Sequence, residues 1–350
     1  MSYELNKKIR ELKPYEPING TYKIRLDANE CPVNYPPEIM EQVKEAVNCV
    51  LFNRYPDPMA TEVVNAFAKF YDISPELVTA GNGSDELIFL IESAFLEKGD
   101  KMLVASPDFS MYQFYSSICE VECDTFIKDS SLNIDTDSLI KKINDDNIKL
   151  VLFSNPCNPT GQGMSREDAR KLVTSVNALV ILDEAYMDFW DQSLINEVEN
   201  YSNLIVFRTA SKAIGSAALR LGFAVANKII SNAIKAVKSP YNVNSISQAI
   251  GSVIYNNKEY LLNRQNTIVK NREKLYNDLL SIATICNDFK VYNTYANFFF
   301  VKTSFGKDLW EYLKDNSIVI RYMGDYIRIT VGTEEENKEL ITCIKRYISR

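Results

Sequence analysis

Residues 207–223 read F-R-T-A-S-K-A-I-G-S-A-A-L-R-L-G-F. The run L-I-V-F at 204–207 leads in, the pattern of a short strand buried on both faces. Thr209, Ala210 and Ser211 follow. Lys212 comes next, with Gly215, Ser216, Ala217 and Ala218 behind it and Arg220 eight residues on. A lysine among small side chains at a strand end is open to a flat ligand. Desolvation there lowers the pKa of the amine and makes it a better nucleophile. Thr209, Ser211 and Arg220 are spaced to hold a phosphate dianion beside it. A Ser-Lys pair alone is no signature, since most lysines are solvated surface residues. The flanking sequence decides.

Upstream the same rhythm repeats. Strands are expected at 77–80, 101–105, 120–126, 149–154, 178–182, 204–207 and 221–226. Helical stretches at 85–96, 108–118, 135–143 and 166–176 lie between most of them. Short apolar strands alternating with helices imply an α/β fold, a mainly parallel seven-stranded sheet covered on both faces. Ligands then belong at the carboxyl ends of its strands. Residues 1–30 carry little periodicity and the turn residues Pro14, Pro17 and Gly20. They are expected to form an arm. Helices at 37–52 and 60–71 flank the break R-Y-P-D-P at 54–58, with Pro37 suited to a first helical turn. Helices dominate 229–281. Strands at 290–302, 317–321 and 326–331 then mix with helices at 307–316 and 334–349. The expected division is an arm at 1–35 serving the smaller unit, a large domain at 36–240 and a small α+β domain at 241–350.

Composition narrows the function. The 350 residues include 46% hydrophobic side chains, enough for a large core. A net charge of -7 argues against nucleic acid or an anionic membrane as the main partner. No apolar run approaches a membrane span, and the charged N-terminus lacks a signal-peptide core. Seven scattered cysteines without a C-x-x-C pair fit reduced thiols in the cytoplasm and no zinc site. Histidine is absent. That excludes Ser-His-Asp and Cys-His catalysis and His-ligated metal. Proton transfer must use Lys, Tyr, Asp, Glu or Cys.

Further stretches carry chemistry at strand ends. G-N-G-S-D-E at 81–86 stands between a strand and a helix, where glycines let an anion approach backbone amides. Its Ser84 also suits an ordinary N-cap, with Asp85 and Glu86 favoured by the helix dipole. The acidic side chains must point away from any phosphate held there. N-P-C-N-P-T-G at 155–161 holds Asn158 in a turn, where its amide faces a phenolic oxygen or simply closes a loop. A-L-V-I-L-D-E-A-Y at 178–186 places Asp183 at the end of an apolar run, with Tyr186 three residues on. A carboxylate there either meets solvent or holds a pyridinium N–H and keeps a ring electron-withdrawing. Phe109, in S-P-D-F, can stack on a flat ring or fill a core. Arg321 and Arg328 flank a short turn, and Arg328 lies in the alternating Y-I-R-I-T-V-G-T. An arginine there clamps an anion or forms a surface salt bridge. A reactive amine beside a phosphate grip suits pyridoxal phosphate, bound as a Schiff base.

The motifs G-N-G-S-D-E, P-D-F, N-P-C-N-P-T-G, D-E-A-Y, S-K-A-I-G-S-A-A-L-R-L-G-F and Y-I-R-I-T-V-G-T occur in that order. From about residue 26 to the C-terminus the chain resembles the class II pyridoxal-phosphate-dependent aminotransferases, of the aspartate-aminotransferase fold (fold type I). L-D-A-N-E at 26–30, R-Y-P-D-P and R-I-T-V-G-T resemble the histidinol-phosphate branch of that family most. The resemblance implies that Lys212 holds pyridoxal 5'-phosphate covalently and later moves the substrate proton. It implies that Asp183 pairs with the ring nitrogen and that Asn158 and Tyr186 hold the ring oxygen. Phe109 stacks on the ring. Amides around Gly83, Ser84 and Asp85, with Thr209, Ser211 and Arg220, hold the phosphate. Tyr55 reaches it from a second subunit, so a homodimer is expected. Arg328 and Arg321 receive the distal anion of the substrate, and Asn29 and Glu30 lie near the mouth. Ser216-Ala217-Ala218 departs from the usual second glycine, Phe109 replaces a frequent tyrosine, and Cys31 is unusual. These departures touch the substrate more than the cofactor. The activity expected is amino transfer between glutamate and a phosphorylated small molecule. An aromatic or other amino-acid aminotransferase, phosphothreonine decarboxylase and a non-enzymatic ligand-sensing domain remain as alternatives.

Overall fold

The computed structural model describes residues 3–14, 16 and 18–350. The turn expected at Pro17 lies outside the described residues. Seven strands form the main sheet: β2 (Val78–Asn82), β3 (Lys101–Ser106), β4 (Glu122–Ile127), β5 (Leu150–Ser154), β6 (Leu179–Asp183), β7 (Leu204–Thr209) and β8 (Leu221–Ala226). Their order is β2-β8-β7-β6-β5-β3-β4. The neighbours from β7 through β4 are parallel, and β8 runs antiparallel to both β7 and β2.

Strand pleating sorts alternate side chains to opposite faces. In β7, Leu204 and Val206 join one apolar core, and Ile205 and Phe207 join the other. Helices Thr61–Tyr71, Thr136–Asp145 and Arg166–Ser175 cover the first face. Helices Ser84–Phe95 and Lys228–Val237 cover the second. Burial on both sides explains why these strands are continuous apolar runs.

The second sheet contains β1 (Ile24–Leu26), β9 (Lys290–Val291), β10 (Phe298–Lys302), β11 (Ile318–Met323) and β12 (Tyr326–Thr330). Its order is β1-β11-β12-β10-β9, with β1 parallel to β11 and the other pairs antiparallel. The 26-residue helix Lys258–Ala283 packs Ile268, Leu275, Leu279 and Ile282 into the core of this unit. Three residues of the N-terminal arm are thus a strand, and main-chain hydrogen bonds supply the order that the arm's sequence lacks. Among the described residues, no helix is long and apolar enough to cross a membrane, and the seven cysteines are free thiols.

Several boundaries differ from expectation. The stretch 290–302 is two strands, not one. Its segment 293–297 turns instead, and the Tyr295 amide donates to the Gly161 carbonyl at 2.8 Å. The strand expected from 120 begins at Glu122, because Glu120 takes a left-handed conformation at the end of the helix Met111–Cys119. That helix begins three residues later than expected, since Asp108 spends its carboxylate on the Phe109 amide and on Ser154. The helix from Pro37 ends at Asn48, four residues early. Ser84 is the first helical residue and not the cap. Gly83 is the cap, at φ 82, and no side chain caps this helix start.

Candidate active site

The parallel strands place their carboxyl ends along one edge of the sheet. Antiparallel β8 begins at that edge, next to the end of β7, with Leu221 beyond Thr209 and Gly222 paired to it. Lys212 lies three residues past β7. Its Nζ donates to the Ala28 carbonyl at 2.8 Å and sits 5.8 Å from the Tyr186 ring centroid. Burial, then the positive charges of Arg328 and Arg220, push its pKa down to about 8, against the pull of Glu30 and Asp85. At pH 7 about one such amine in ten is neutral, against about three in ten thousand for an ordinary lysine.

Asp183 ends β6 and is 4% exposed. The Tyr112 hydroxyl donates to its Oδ2 at 2.8 Å, and the Ala185 amide to its Oδ1 at 3.1 Å. Burial outweighs both hydrogen bonds and pushes the carboxyl up to about 7. A cation held against it would reverse that shift. Tyr186 is buried, and its hydroxyl accepts from Asn29 Nδ2 at 2.9 Å. Burial pushes this phenol up to about 12, although Arg328 and Asn29 oppose it.

Asn158 is fixed at both ends. Its backbone amide donates to Ser154 Oγ at 2.9 Å, and its Oδ1 accepts from Arg328 Nη1. The carbonyl end is thereby committed, which leaves the NH2 end to meet a ligand acceptor. Arg328 also donates from Nη2 to the Asp27 carbonyl at 2.8 Å. Arg321 stands directly opposite it across the β11–β12 hairpin. Cross-strand partners project from the same face, so the two guanidinium groups share one side of the sheet.

A second group surrounds the start of the helix Ser84–Phe95. The Thr209 hydroxyl accepts from the Ser211 amide at 3.1 Å and lies 3.1 Å from the Ser211 hydroxyl. The Arg220 guanidinium lies over Gly83, where an added Cβ would come within 2.9 Å of Nη2. A Cβ on Gly222 would come within 2.3 Å of the Ser84 amide nitrogen. Backbone packing therefore requires Gly222, and the positive φ of 82° favours glycine at position 83. Since no side chain caps the helix, its first amides remain for an anion. Asp85 turns toward Arg220, whose Nη2 donates to Oδ2 at 3.1 Å.

Phe109 is half-buried and meets Tyr112 edge-on, with ring centroids 5.5 Å apart. Asn29 is buried with φ 55, and its carbonyl accepts from Asn297 Nδ2 at 3.1 Å. Glu30 is exposed, near enough for its charge to favour the Lys212 ammonium. Tyr55 stands apart from these contacts. It is 82% exposed and stacks on Tyr241, with centroids 4.6 Å apart.

Sequence reasoning missed Tyr112, which is one tyrosine among 20 and carries no local mark. It also missed Arg208. That side chain is buried between Glu184 at 2.8 Å and Asp188 at 2.7 Å, beneath the D-E-A-Y turn. The carbonyls of Asp27 and Ala28, which hold Arg328 and Lys212, could be found only from the folded chain.

Known proteins resemble this chain over nearly its whole length. Residues 21–344 match the family model for aminotransferase class I and II. The chain is 39% identical to a histidinol-phosphate aminotransferase from Clostridium novyi (strain NT), over 97% of this chain and 96% of that protein. It is 38% identical to one from Thermoanaerobacter pseudethanolicus, over 98% of each. Among solved structures, histidinol-phosphate aminotransferase from Sinorhizobium meliloti, in complex with pyridoxal-5'-phosphate, superposes with a TM-score of 0.88. It covers 100% of this chain and 98% of that one at 21% identity, a likeness of fold. With the family model spanning nearly the whole length and close relatives aligned end to end, the chain belongs to the class I and II aminotransferases.

Proposed function

We propose that this protein is a pyridoxal-phosphate-dependent aminotransferase that exchanges the amino group of histidinol phosphate with 2-oxoglutarate. The carrying observation is the Arg321–Arg328 register, with Arg328 bonded to Asn158 and its charge felt by Lys212. Two arginines on one face suit a phosphate of up to two charges in one half-reaction and a carboxylate in the other. The curated relatives named above support the choice of substrate.

The residues present fit pyridoxal phosphate. Lys212 offers a desolvated amine for its carbonyl carbon. Asp183, buried and poorly stabilised as an anion, suits a pyridinium N–H. The Ser84 and Asp85 amides, with Thr209, Ser211 and Arg220, would hold the phosphate, and Gly83 would shape the turn around it, since its own amide donates to the Gly81 carbonyl at 2.9 Å. Asn158 and Tyr186 would hold the ring oxygen, and Phe109 would cover the ring. When bound, the cofactor supplies an electron sink that makes the Cα proton of an amino acid removable. Lys212 is the base positioned to take that proton. Asp183 keeps the sink electron-poor. Asn29 fixes the Tyr186 hydroxyl, and Arg328 fixes the Asn158 amide. The test is a donor panel scored for 2-oxoglutarate dependence. Glutamate formed from histidinol phosphate is expected. Carbon dioxide released from phosphothreonine without a 2-oxo acid would replace this reading with a lyase.

Arg328 has two tasks in this scheme, so Arg328→Ala should do more than weaken substrate. It removes charge-assisted hydrogen bonds worth roughly 1.5–3 kcal/mol each. KM should rise for both half-reactions, with kcat/KM down about 10- to 100-fold. Arg321→Ala should harm the phosphorylated substrate more than glutamate. Steady-state kinetics with each substrate varied separately measures both. Equal damage from Arg321→Ala would favour an amino-acid substrate.

The active form we propose is a homodimer. Tyr55 and Phe52 are 82% and 74% exposed, and Leu51, Met59, Tyr241 and Ile246 extend the apolar patch around them. Such a patch marks an association surface. Tyr55 would reach the phosphate of the second subunit. Inactive Lys212→Ala mixed with inactive Tyr55→Ala should regain activity, since a hybrid dimer contains one intact site. An active monomer in sedimentation would refute this. Seven free thiols support a cytoplasmic, reducing setting.

A further inference from the structure

One buried cation at the site edge has no role in the scheme above. Lys128 follows β4, and its side chain is 2% exposed. An ammonium has three donors. Here they meet the Pro107 carbonyl at 2.8 Å, Asp108 Oδ2 at 3.3 Å and Cys157 Sγ at 2.9 Å. These acceptors lie on two loops, the one after β3 and the one after β5.

The same loops carry two groups assigned to the cofactor ring. Asp108, whose side chain is also 2% exposed, accepts from the Phe109 amide at 2.8 Å. It accepts from the Ser154 amide at 3.3 Å and from the Ser154 hydroxyl. Ser154 Oγ in turn accepts from the Asn158 amide at 2.9 Å. A continuous path of hydrogen bonds therefore runs from Lys128 through Asp108 to Phe109, and through Ser154 to Asn158. Cys157, the residue before Asn158, is held by Lys128 directly.

We propose that Lys128 is a positioning residue for amino transfer: it holds the Phe109 loop and the Asn158 loop in one register across the cofactor ring. The proposal rests on the pyridoxal-phosphate reading. A buried ion pair is poor evidence for stability, because an apolar pair of similar size often serves as well. Geometry is what this pair supplies. With cofactor bound, Phe109 would cover the face of the ring and Asn158 would meet its edge. A misplacement of about 1 Å in such a site lowers the rate by up to about 100-fold.

The test uses Lys128→Met and the double variant Lys128→Met/Asp108→Asn, which leaves no lone buried charge. Each is reconstituted with saturating pyridoxal phosphate. Thermal unfolding, the visible circular-dichroism band of the bound cofactor, kcat and KM are then measured. The double variant should remain folded, bind cofactor and show an altered dichroic band. Its kcat should fall about 10- to 100-fold, with a smaller change in KM. A double variant with the parental band and kcat overturns the proposal, whether or not its melting temperature drops. If the parent protein itself takes up no pyridoxal phosphate, the functional reading and this proposal fall together.

Discussion

Lys212→Ala is expected to lose turnover by about 100- to 10,000-fold, the range of a general acid–base group, and to lose covalent retention of the cofactor as well. Two observations make this the largest single effect. The amine lies in a desolvated pocket beside Arg328 and Arg220, which brings its pKa down to about 8. No histidine exists in the chain to take over the proton. Tyr186 is a poor substitute, since burial pushes its phenol up to about 12. In the parent protein, borohydride should fix the cofactor to the peptide containing Lys212, as read by mass spectrometry. A label on another lysine, or a Lys212→Ala variant with near-parental turnover, would remove Lys212 from the chemistry. The free amine has a further partner, the Ala28 carbonyl. That contact gives the lysine a defined position whenever it is not joined to cofactor.

Asp183→Asn is expected to separate function from stability. It keeps an oxygen for the Tyr112 hydroxyl but cannot hold a positive ring nitrogen. One charged hydrogen bond contributes roughly 1.5–3 kcal/mol, so turnover should fall about 10- to 100-fold, with cofactor still bound. The cofactor-free protein should respond in the opposite direction. Its Asp183 titrates near 7, above the ordinary value of 3.8, because burial disfavours the anion. A carboxyl with a raised folded-state pKa contributes stability that is fully present below pH 3.8 and lost as pH rises to about 7. The loss across that window amounts to at most about 4 kcal/mol. Cofactor-free Asp183→Asn should therefore be more stable than the parent at pH 7, with the difference shrinking toward pH 4. Denaturant melts at several pH values measure this. A difference independent of pH would show that Asp183 is not the group responsible. Adding pyridoxal phosphate should raise the parent's stability more than the variant's, because only the parent gains a buried ion pair.

Much of this molecule was legible from local pattern. Apolar runs of four to six residues, each ending in a polar or small residue, announced a two-face-buried sheet, and the seven strands are present. Lys212, Asp183 and Asn158 stood out because each ends or follows such a run, where a side chain leaves the pleat, and Arg220 because it stands just before one at the same sheet edge. Local pattern failed where the partner is distant in the chain. The segment 293–297 looks extended but turns to meet Gly161. The arm shows no period, yet Ile24–Leu26 is ordered as a strand by β11, almost 300 residues away. Tyr112 could not be singled out, since its meaning is a hydrogen bond to a residue 71 positions away. The same holds for Lys128. Taken alone it is a lysine after an edge strand; only the approach of two loops makes it a buried cation with three acceptors. Sequence determines which side chains lie at the strand ends, because periodicity of burial is local. Which of them touch, and what burial does to their protons, was decided by the tertiary structure, because desolvation and charge pairing depend on distance in space.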